Sequence, residues 1–106
     1  MVDPAAYEAS PALASATALI GEVKAAINDH IEATARSKQY DGAVAISTYV
    51  NSTVPAWAAE ALAFVAWRDA VWIYAVGALD SVLGGHRAAP SVEEFLAELP
   101  AMEWPA

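Results

Sequence analysis

Residues 54–85 read VPAWAAEALAFVAWRDAVWIYAVGALDSVLGG, and the all-α fold class is predicted mainly from them. Pro55 fits the first turn of a helix, and Gly84 with Gly85 is a strong helix-ending signal, so the stretch predicts one helix over about residues 54–83. Such a helix would be about 45 Å long at a rise of about 1.5 Å per residue. The charged residues within it are few: Glu60, Arg68, Asp69 and Asp80.

The apolar residues of this helix do not form a single stripe. One side is lined by Trp57, Ala61, Phe64, Arg68, Val71, Ala75 and Leu79. Other sides carry Trp67, Trp72, Tyr74 and Val76. A helix that is apolar all round is buried on more than one side. Because the rest of the chain is short, this pattern indicates oligomerisation or a partner protein.

A second long helix is predicted earlier in the chain, over about residues 11–37. Ser10 fits the N-cap, and Pro11 fits the first helical position. A mostly apolar stripe follows at alternating steps of three and four residues: Leu13, Ala16, Ile20, Val23, Ile27, His30 and Thr34. This period is typical of an amphipathic helix.

The remaining segments are short. Residues 42–50 (GAVAISTYV) contain strand-favouring side chains, but no partner strand is evident, so a short helix or turn is favoured. Ser91 followed by Glu94 is a capping box, and Pro100 ends the helix it opens. The sequence therefore predicts one all-α domain over residues 1–106, with extended termini at 1–9 and 100–106. Two long helices and short ones would form an antiparallel helical bundle completed by oligomerisation.

Composition limits the classes of function. Of the 106 residues 58% are hydrophobic and 17% are charged, which excludes intrinsic disorder. Five basic residues stand against 13 acidic ones, for a net charge of −8, so a basic surface for nucleic acid is not expected. The chain has no cysteine, and no basic residue precedes Lys24, so neither a disulfide framework nor a secretory signal is predicted.

Residues 61–79 are long enough to span a bilayer. Arg68 and Asp69 lie near the middle of this stretch, where each charge costs about 2.5–3.5 kcal/mol on insertion scales. A helix buried in protein is therefore favoured over a membrane span, and no membrane partner is expected.

No motif for catalysis or metal binding emerges. His30 and His86 lack cysteine or Glu-x-x-His companions, so no metal site is predicted. No serine lies in a Gly-x-Ser-x-Gly turn, and Glu93 and Glu94 point to different helix faces. We therefore expect a protein that is not an enzyme and that holds no cofactor.

The Arg68 and Asp69 pair is the most informative polar feature of the long helix. A buried arginine needs an acidic partner, from its own subunit or across an oligomer interface. Aromatic residues at helical spacing form cores or interfaces far more often than ligand pockets. The candidate interface residues are Trp57, Phe64, Trp67, Arg68, Asp69, Trp72, Tyr74 and Trp104.

The stretch EATARSKQYDGAVAISTYVNSTVPAWAAEALAFVAWRDAVWIY, residues 32–74, resembles small proteins from the tail-fibre gene region of tailed bacteriophages and prophages. Its most specific part is WRDAVW, residues 67–72. Residues 90–105 also resemble these phage proteins. The resemblance covers residues 24–105. It implies a role in the phage particle or its assembly, and it carries no catalytic or ligand motif.

Together these observations predict a non-enzymatic structural or assembly protein of the phage tail or tail-fibre region. It would pack against itself as a homo-oligomer, against another tail or fibre protein, or both. A transient assembly chaperone is the alternative, and a membrane-active lysis protein is a third. The expected location is the host cytoplasm during assembly and then the tail region of the virion.

Overall fold

The computed structural model describes the backbone of residues 11–106 and the side chains of residues 17–106. Its elements are α1 (Pro11–Ser37), α2 (Ala43–Ser47), a 3-10 helix (Thr48–Asn51), α3 (Pro55–Leu83) and α4 (Val92–Glu98). These residues contain no β-strand, so the predicted all-α class and both long helices are confirmed. The predictions for Ser10, the side chains of Leu13 and Ala16, and the terminus 1–9 lie outside the described residues.

The shorter segments, residues 42–50 and the segment after Ser91, are also helical. Residues 42–50, where a strand was the competing prediction, form α2 and most of the 3-10 helix. Helix α4 begins after Ser91, whose side-chain Oγ accepts a hydrogen bond from the Glu94 N–H at 3.1 Å. This is the N-cap that the sequence predicts, and it satisfies a backbone donor left free at the helix start.

Helices α1 and α3 lie side by side and run in opposite directions. Ile20, early in α1, lines a cleft with Leu79, late in α3. Ile31 lines another cleft with Trp72, nearer the middle of α3. Tyr40, just beyond α1, shares a third with Trp57 near the start of α3.

The buried face of α1 differs from the predicted stripe in its second half. Val23, Ile27, Ile31 and Ala35 are buried, whereas the predicted member His30 is exposed and Thr34 is half-buried. A row of every fourth residue drifts around an α-helix that has about 3.6 residues per turn. The drift turns the end of α1 toward α2, whose Ile46 joins the same core.

One side of α3 supplies half of the buried core. The buried residues of the helix are Ala61, Phe64, Trp67, Val71, Ala75 and Leu79. Trp57 and Arg68, predicted on this side, lie at its margin, and Trp57 is 48% exposed. Trp67, predicted on another side, is buried, and its ring lies against His30 of α1 and Phe64 of α3 while its indole reaches the Pro100 carbonyl.

The chain after α3 closes one flank of the core. Phe95 of α4 is fully buried. The Trp67 indole Nε1–H donates a hydrogen bond to the Pro100 carbonyl at 2.8 Å, and the Trp104 ring stacks near Phe64 at a centroid distance of 6.4 Å. These contacts bury the indole while satisfying its only donor.

The molecule is elongated. Its principal extents are 59 × 22 × 20 Å and its radius of gyration is 17.5 Å. A compact domain of this length would have a radius of gyration of about 13 Å. Long helices paired along their length therefore leave much of α3 at the surface.

The turn between α1 and α2 depends on two unusual backbone conformations. Gln39 has φ 70°, and the Tyr40 and Gln39 amides bond back to the carbonyls of Ala35 and Arg36, which is the Schellman ending of a helix. Gly42 has φ 149° and ψ −176°, a region that only glycine adopts readily. Beside it the Glu32 carboxylate accepts the Ala43 N–H at 3.2 Å and so caps α2.

We expect the substitution Gly42→Ala to destabilise the fold by about 1–3 kcal/mol, because the backbone conformation is strained for any other residue. The added Cβ would also lie 2.5 Å from Glu32 Oε2 and displace the cap of α2. Urea denaturation monitored by circular dichroism measures the change. Gln39→Gly is the matched control, since glycine suits a positive φ, and its stability should be unchanged or up to about 1 kcal/mol higher. Equal stability of Gly42→Ala and the wild type would contradict the expectation.

Candidate functional site

The surface of α3 that faces away from the core carries a regular stripe. It consists of seven positions at alternating steps of four and three residues: Leu62, Ala66, Asp69, Ile73, Val76, Asp80 and Leu83. All seven are exposed. We call them the outer face of α3. Such spacing keeps side chains on one face of a helix and is typical of a seam between packed helices.

The outer face is mainly apolar. Leu62, Ile73, Val76 and Leu83 are each between 50% and 76% exposed. Scattered exposed apolar residues are normal on a protein surface, whereas a continuous row of them marks an interaction site. This row is about 30 Å long, at a rise of about 1.5 Å per residue.

Two carboxylates interrupt the row. Asp69 and Asp80 lie about 16 Å apart along the helix axis. Asp69 pairs with the neighbouring Arg68, whose Nη2 lies 2.9 Å from Asp69 Oδ1. Within the described part of the chain Asp80 forms no ion pair. The outer face therefore combines large apolar side chains with one ion-paired carboxylate, Asp69, and one carboxylate, Asp80, that has no ion pair among the described residues.

A shallow groove borders the C-terminal half of the outer face. It has a volume of about 210 Å³ and lies between α1 and α3. Its lining is Ile20, Lys24, Val76, Leu79, Asp80 and Leu83. Lys24 is the basic side chain of this groove and lies outside ion-pair distance of Asp80. The groove extends the apolar surface from α3 toward α1.

The predicted interface residues are divided between core and surface. Phe64 and Trp67 are buried inside the chain itself. Trp72, Tyr74 and Trp104 are half-buried, and Trp57 is exposed at the start of α3. Of the predicted set, only Asp69 belongs to the outer face. No described contact tests whether the set touches another molecule, so that role stays a prediction.

Arg68 contributes less to the stability of the fold than a buried, ion-paired arginine would. Its side chain is 35% exposed, and its ion-pair partner is Asp69 on the same helix rather than an acid of α1. An exposed pair of this kind contributes at most about 1 kcal/mol. The expected cost of a buried, unpaired arginine therefore does not apply.

Sequence reasoning missed the residues that make the outer face apolar. Leu62, Ile73 and Leu83 are not among the predicted interface residues, because aromatic side chains are the usual sign of an interface and most of the predicted set is aromatic. The signal was nevertheless present, since these three positions share one alternating step of three and four with Val76. Which of several apolar stripes is left uncovered depends on where α1 and α4 pack.

A polar cluster joins α3, α4 and the loop between them. The Arg87 guanidinium donates two hydrogen bonds to the Glu98 carboxylate, both at 2.8 Å, and the Tyr74 hydroxyl donates a third. The Arg87 hydrogen bonds, and then the Tyr74 one, lower the pKa of Glu98 to about 2. Hydrogen bonding to Glu98, together with burial, raises the pKa of Tyr74. These shifts favour the charged pair and move both pKa values away from neutrality, so the cluster acts as a structural clamp.

The described residues contain no group of three or more His, Cys, Asp or Glu side chains that could hold a metal ion. The His30 ring lies edge-on to Trp67 at a centroid distance of 5.5 Å, and His86 is exposed in the loop after α3. Neither histidine has the companions that a ligand or a general base needs.

Helix α3 is also long and apolar enough to cross a membrane. Its most apolar eighteen-residue window has a mean hydropathy of 1.4, and 28% of that window is buried. A core helix can pass the same test of length and composition. The small buried share reflects the outer face.

Comparisons with known proteins add no identification. No protein-family model matches the chain, and no curated protein and no solved structure is significantly similar to it.

We expect Glu98→Gln to flatten the dependence of stability on pH in acid. The folded-state pKa of Glu98, about 2, lies below the ordinary value of 4.5, so its stabilising contribution is complete above about pH 4.5 and is lost as the pH falls toward 2. Urea denaturation of both proteins between these limits measures the difference. Glu103→Gln, an exposed carboxylate without an ion pair in the described chain, is the control. Parallel curves for wild type and Glu98→Gln would refute the clamp.

Proposed function

We propose that this chain is a non-enzymatic structural or assembly protein of the tail or tail-fibre region of a tailed bacteriophage, acting through helix packing. The observation that carries the packing role is the outer face of α3. The phage context rests on the resemblance of residues 24–105, in particular WRDAVW at 67–72.

The outer face has the properties of an incomplete helix bundle. Its alternating steps of three and four residues match the seam that a second helix covers in a bundle or coiled coil. A surface helix that needs no partner carries polar residues opposite its core. On α3 that side instead carries Leu62, Ile73, Val76 and Leu83. A helix laid along it would complete an antiparallel bundle with α1 and α3.

Charge favours a basic partner over a second copy of this chain. If two outer faces packed together, Asp69 and Asp80 of both copies would lie in one partly desolvated seam. Burying the Asp80 carboxylate of each copy without a cation costs free energy, and the like charge of the other copy raises that cost. A partner helix that places a lysine or arginine opposite Asp80 would neutralise that carboxylate instead, whereas Asp69 already pairs with Arg68. The net charge of −8 would also attract such a partner over a distance.

The same surface supports the alternative of a transient chaperone. A chaperone would cover an apolar segment of a tail or fibre protein and leave before the particle is complete. A structural protein would be present in purified phage particles, whereas a transient chaperone would be absent from them. The membrane-active alternative is disfavoured, because Asp69 and Asp80 lie on the very face that would meet lipid. Net negative charge also repels anionic membrane surfaces.

We expect a photo-crosslinking residue at position 73 to join this chain to a tail or fibre protein in phage-producing cells. Ile73 is exposed at the centre of the outer face, so a packed partner helix would lie against it. Mass spectrometry identifies the cross-linked peptide, which should contain basic residues. Val44 is the matched control, because it is an equally exposed β-branched apolar residue outside the outer face. Cross-linking at position 44 alone would refute the assignment of the surface.

The substitution Ile73→Asp should abolish the association of the outer face of α3 with its partner and leave the fold intact. Exposed positions usually tolerate substitution within about 0.5 kcal/mol, so the urea midpoint should barely move. Light scattering behind size exclusion gives the mass of the purified protein. A mass of 11.1 kDa fits a chain that waits for a different partner. If the purified protein instead has a mass that is a discrete multiple of the monomer, and Ile73→Asp reduces it to the monomer, then the outer face binds a second copy of this chain and not a basic partner.

A further inference from the structure

A second candidate site lies where the end of α1, the 3-10 helix and the start of α3 meet. None of its residues belongs to the outer face of α3. It is a cleft of about 250 Å³, smaller than the roughly 300–1,000 Å³ of pockets for drug-sized ligands, so it suits one small chemical group. We call it the aromatic cleft. Its lining residues are Lys38, Gln39, Tyr40, Tyr49, Trp57 and Glu60.

Three aromatic rings form the walls of this cleft. Tyr40 and Tyr49 meet edge to face at a centroid distance of 5.5 Å and an angle of 62°. Tyr49 and Trp57 meet at 5.9 Å and 89°. Because successive rings are steeply inclined, they enclose a corner rather than stack. All three residues line the cleft, and Tyr49 and Trp57 are 37% and 48% exposed, so a ligand in the cleft can reach them.

Glu60 supplies a negative charge beside the rings. Its side chain is half-buried, and within the described residues its carboxylate forms no ion pair. Burial raises the pKa of Tyr40, and the nearby charge of Glu60 raises it further, as expected for a carboxylate close to the phenol. A carboxylate held near aromatic rings and left unpaired favours a cation in the space between them.

Lys38 is the other charged group of the cleft. Its ammonium Nζ lies over the Trp104 ring, 5.4 Å from the ring centroid, so this end of the molecule already forms one cation–π contact. In the described chain none of the three cleft rings holds a cation in this way. Lys38 therefore does not fill the cleft, although its charge opposes a second cation nearby.

We propose that the aromatic cleft binds an organic cation, either a guanidinium or a methylated ammonium group. Such cations are weakly hydrated and lie against aromatic faces, and each can also pair with a carboxylate. In this site the rings of Tyr40, Tyr49 and Trp57 contact the ligand, and Glu60 neutralises it. The ligand is an arginine side chain of a partner protein or a free quaternary ammonium compound.

Two pairs of probes separate these sources and test the need for charge. Acetyl-arginine amide is compared with its neutral isostere acetyl-citrulline amide, and choline with its neutral isostere 3,3-dimethyl-1-butanol. Each is titrated into the full chain against matched sodium chloride, and the indole N–H resonance of Trp57 is followed by NMR. We expect a saturable shift with one or both cations and none with the neutral isosteres. Binding of arginine alone, or of choline alone, identifies the source.

Variants assign the binding to the cleft. Glu60→Gln should weaken cation binding about threefold to fivefold, and Tyr49→Leu, which removes one ring but keeps the Trp57 indole that reports binding, should weaken it about as much. Lys38→Gln should strengthen it, because a repelling charge is removed. Asp80→Asn changes the net charge as Glu60→Gln does but lies outside the cleft, so it should have little effect.

Equal binding of a cation and its neutral isostere would reduce the cleft to an apolar groove and overturn the proposal. So would equal effects of Glu60→Gln and Asp80→Asn, or no shift of the Trp57 resonance with either cation. The result is independent of the proposed function. Ile73→Asp should leave these titrations unchanged, and Glu60→Gln should leave cross-linking at position 73 unchanged.

Discussion

The fold depends on one constraint: α3 (Pro55–Leu83) carries more apolar surface than the rest of the chain covers. Helices α1 and α2 and the 3-10 helix pack against this helix, whereas α4 lies mainly on α1 and reaches α3 through side chains such as Phe95, which meets Tyr74. Helix α1 contributes one buried row, α2 adds Ile46, and α4 adds Phe95. Because α1 and α4 are amphipathic elements of limited width, they enclose one side of α3 and leave the outer face in solvent. The elongated shape follows from the same arrangement, since two long helices paired along their length cannot form a sphere.

The C-terminal part of the chain closes this core through polar as well as apolar contacts. The Trp67 indole is buried without an unsatisfied donor, because the Pro100 carbonyl accepts its N–H. The bidentate pair of Arg87 and Glu98 holds α4 against α3 from the solvent side, with the Tyr74 hydroxyl as a third member. The tail that follows α4 lacks helix, yet its Trp104 packs against the core. An irregular segment is therefore part of the structural unit.

The two candidate sites use the same electrostatic principle on different surfaces. On the outer face of α3, Asp69 and Asp80 lie among large apolar side chains, and in the aromatic cleft Glu60 lies among three rings. In both places a negative charge in apolar surroundings favours a ligand that brings a positive charge with it. The excess of 13 acidic over five basic residues makes this preference a property of the whole molecule. Net negative charge favours positively charged ligands over negatively charged ones, and both proposals depend on this preference.

The amino-acid sequence alone is enough to predict the helices of this protein. Proline and glycine punctuation set the ends of α3, periodic apolar residues revealed α1, and Ser91 marked the start of α4, because these signals act within a few residues of chain. It also showed that α3 is apolar on more than one side. Which side stays exposed was decided only by the tertiary structure: Trp67 became core, while Ile73 became surface. Likewise, Tyr40, Tyr49 and Trp57 lie in a turn, the 3-10 helix and α3, and only the packing of the 3-10 helix against α3 brings their rings into one cleft. Local propensity specifies helices, whereas the faces they bury depend on contacts between distant residues.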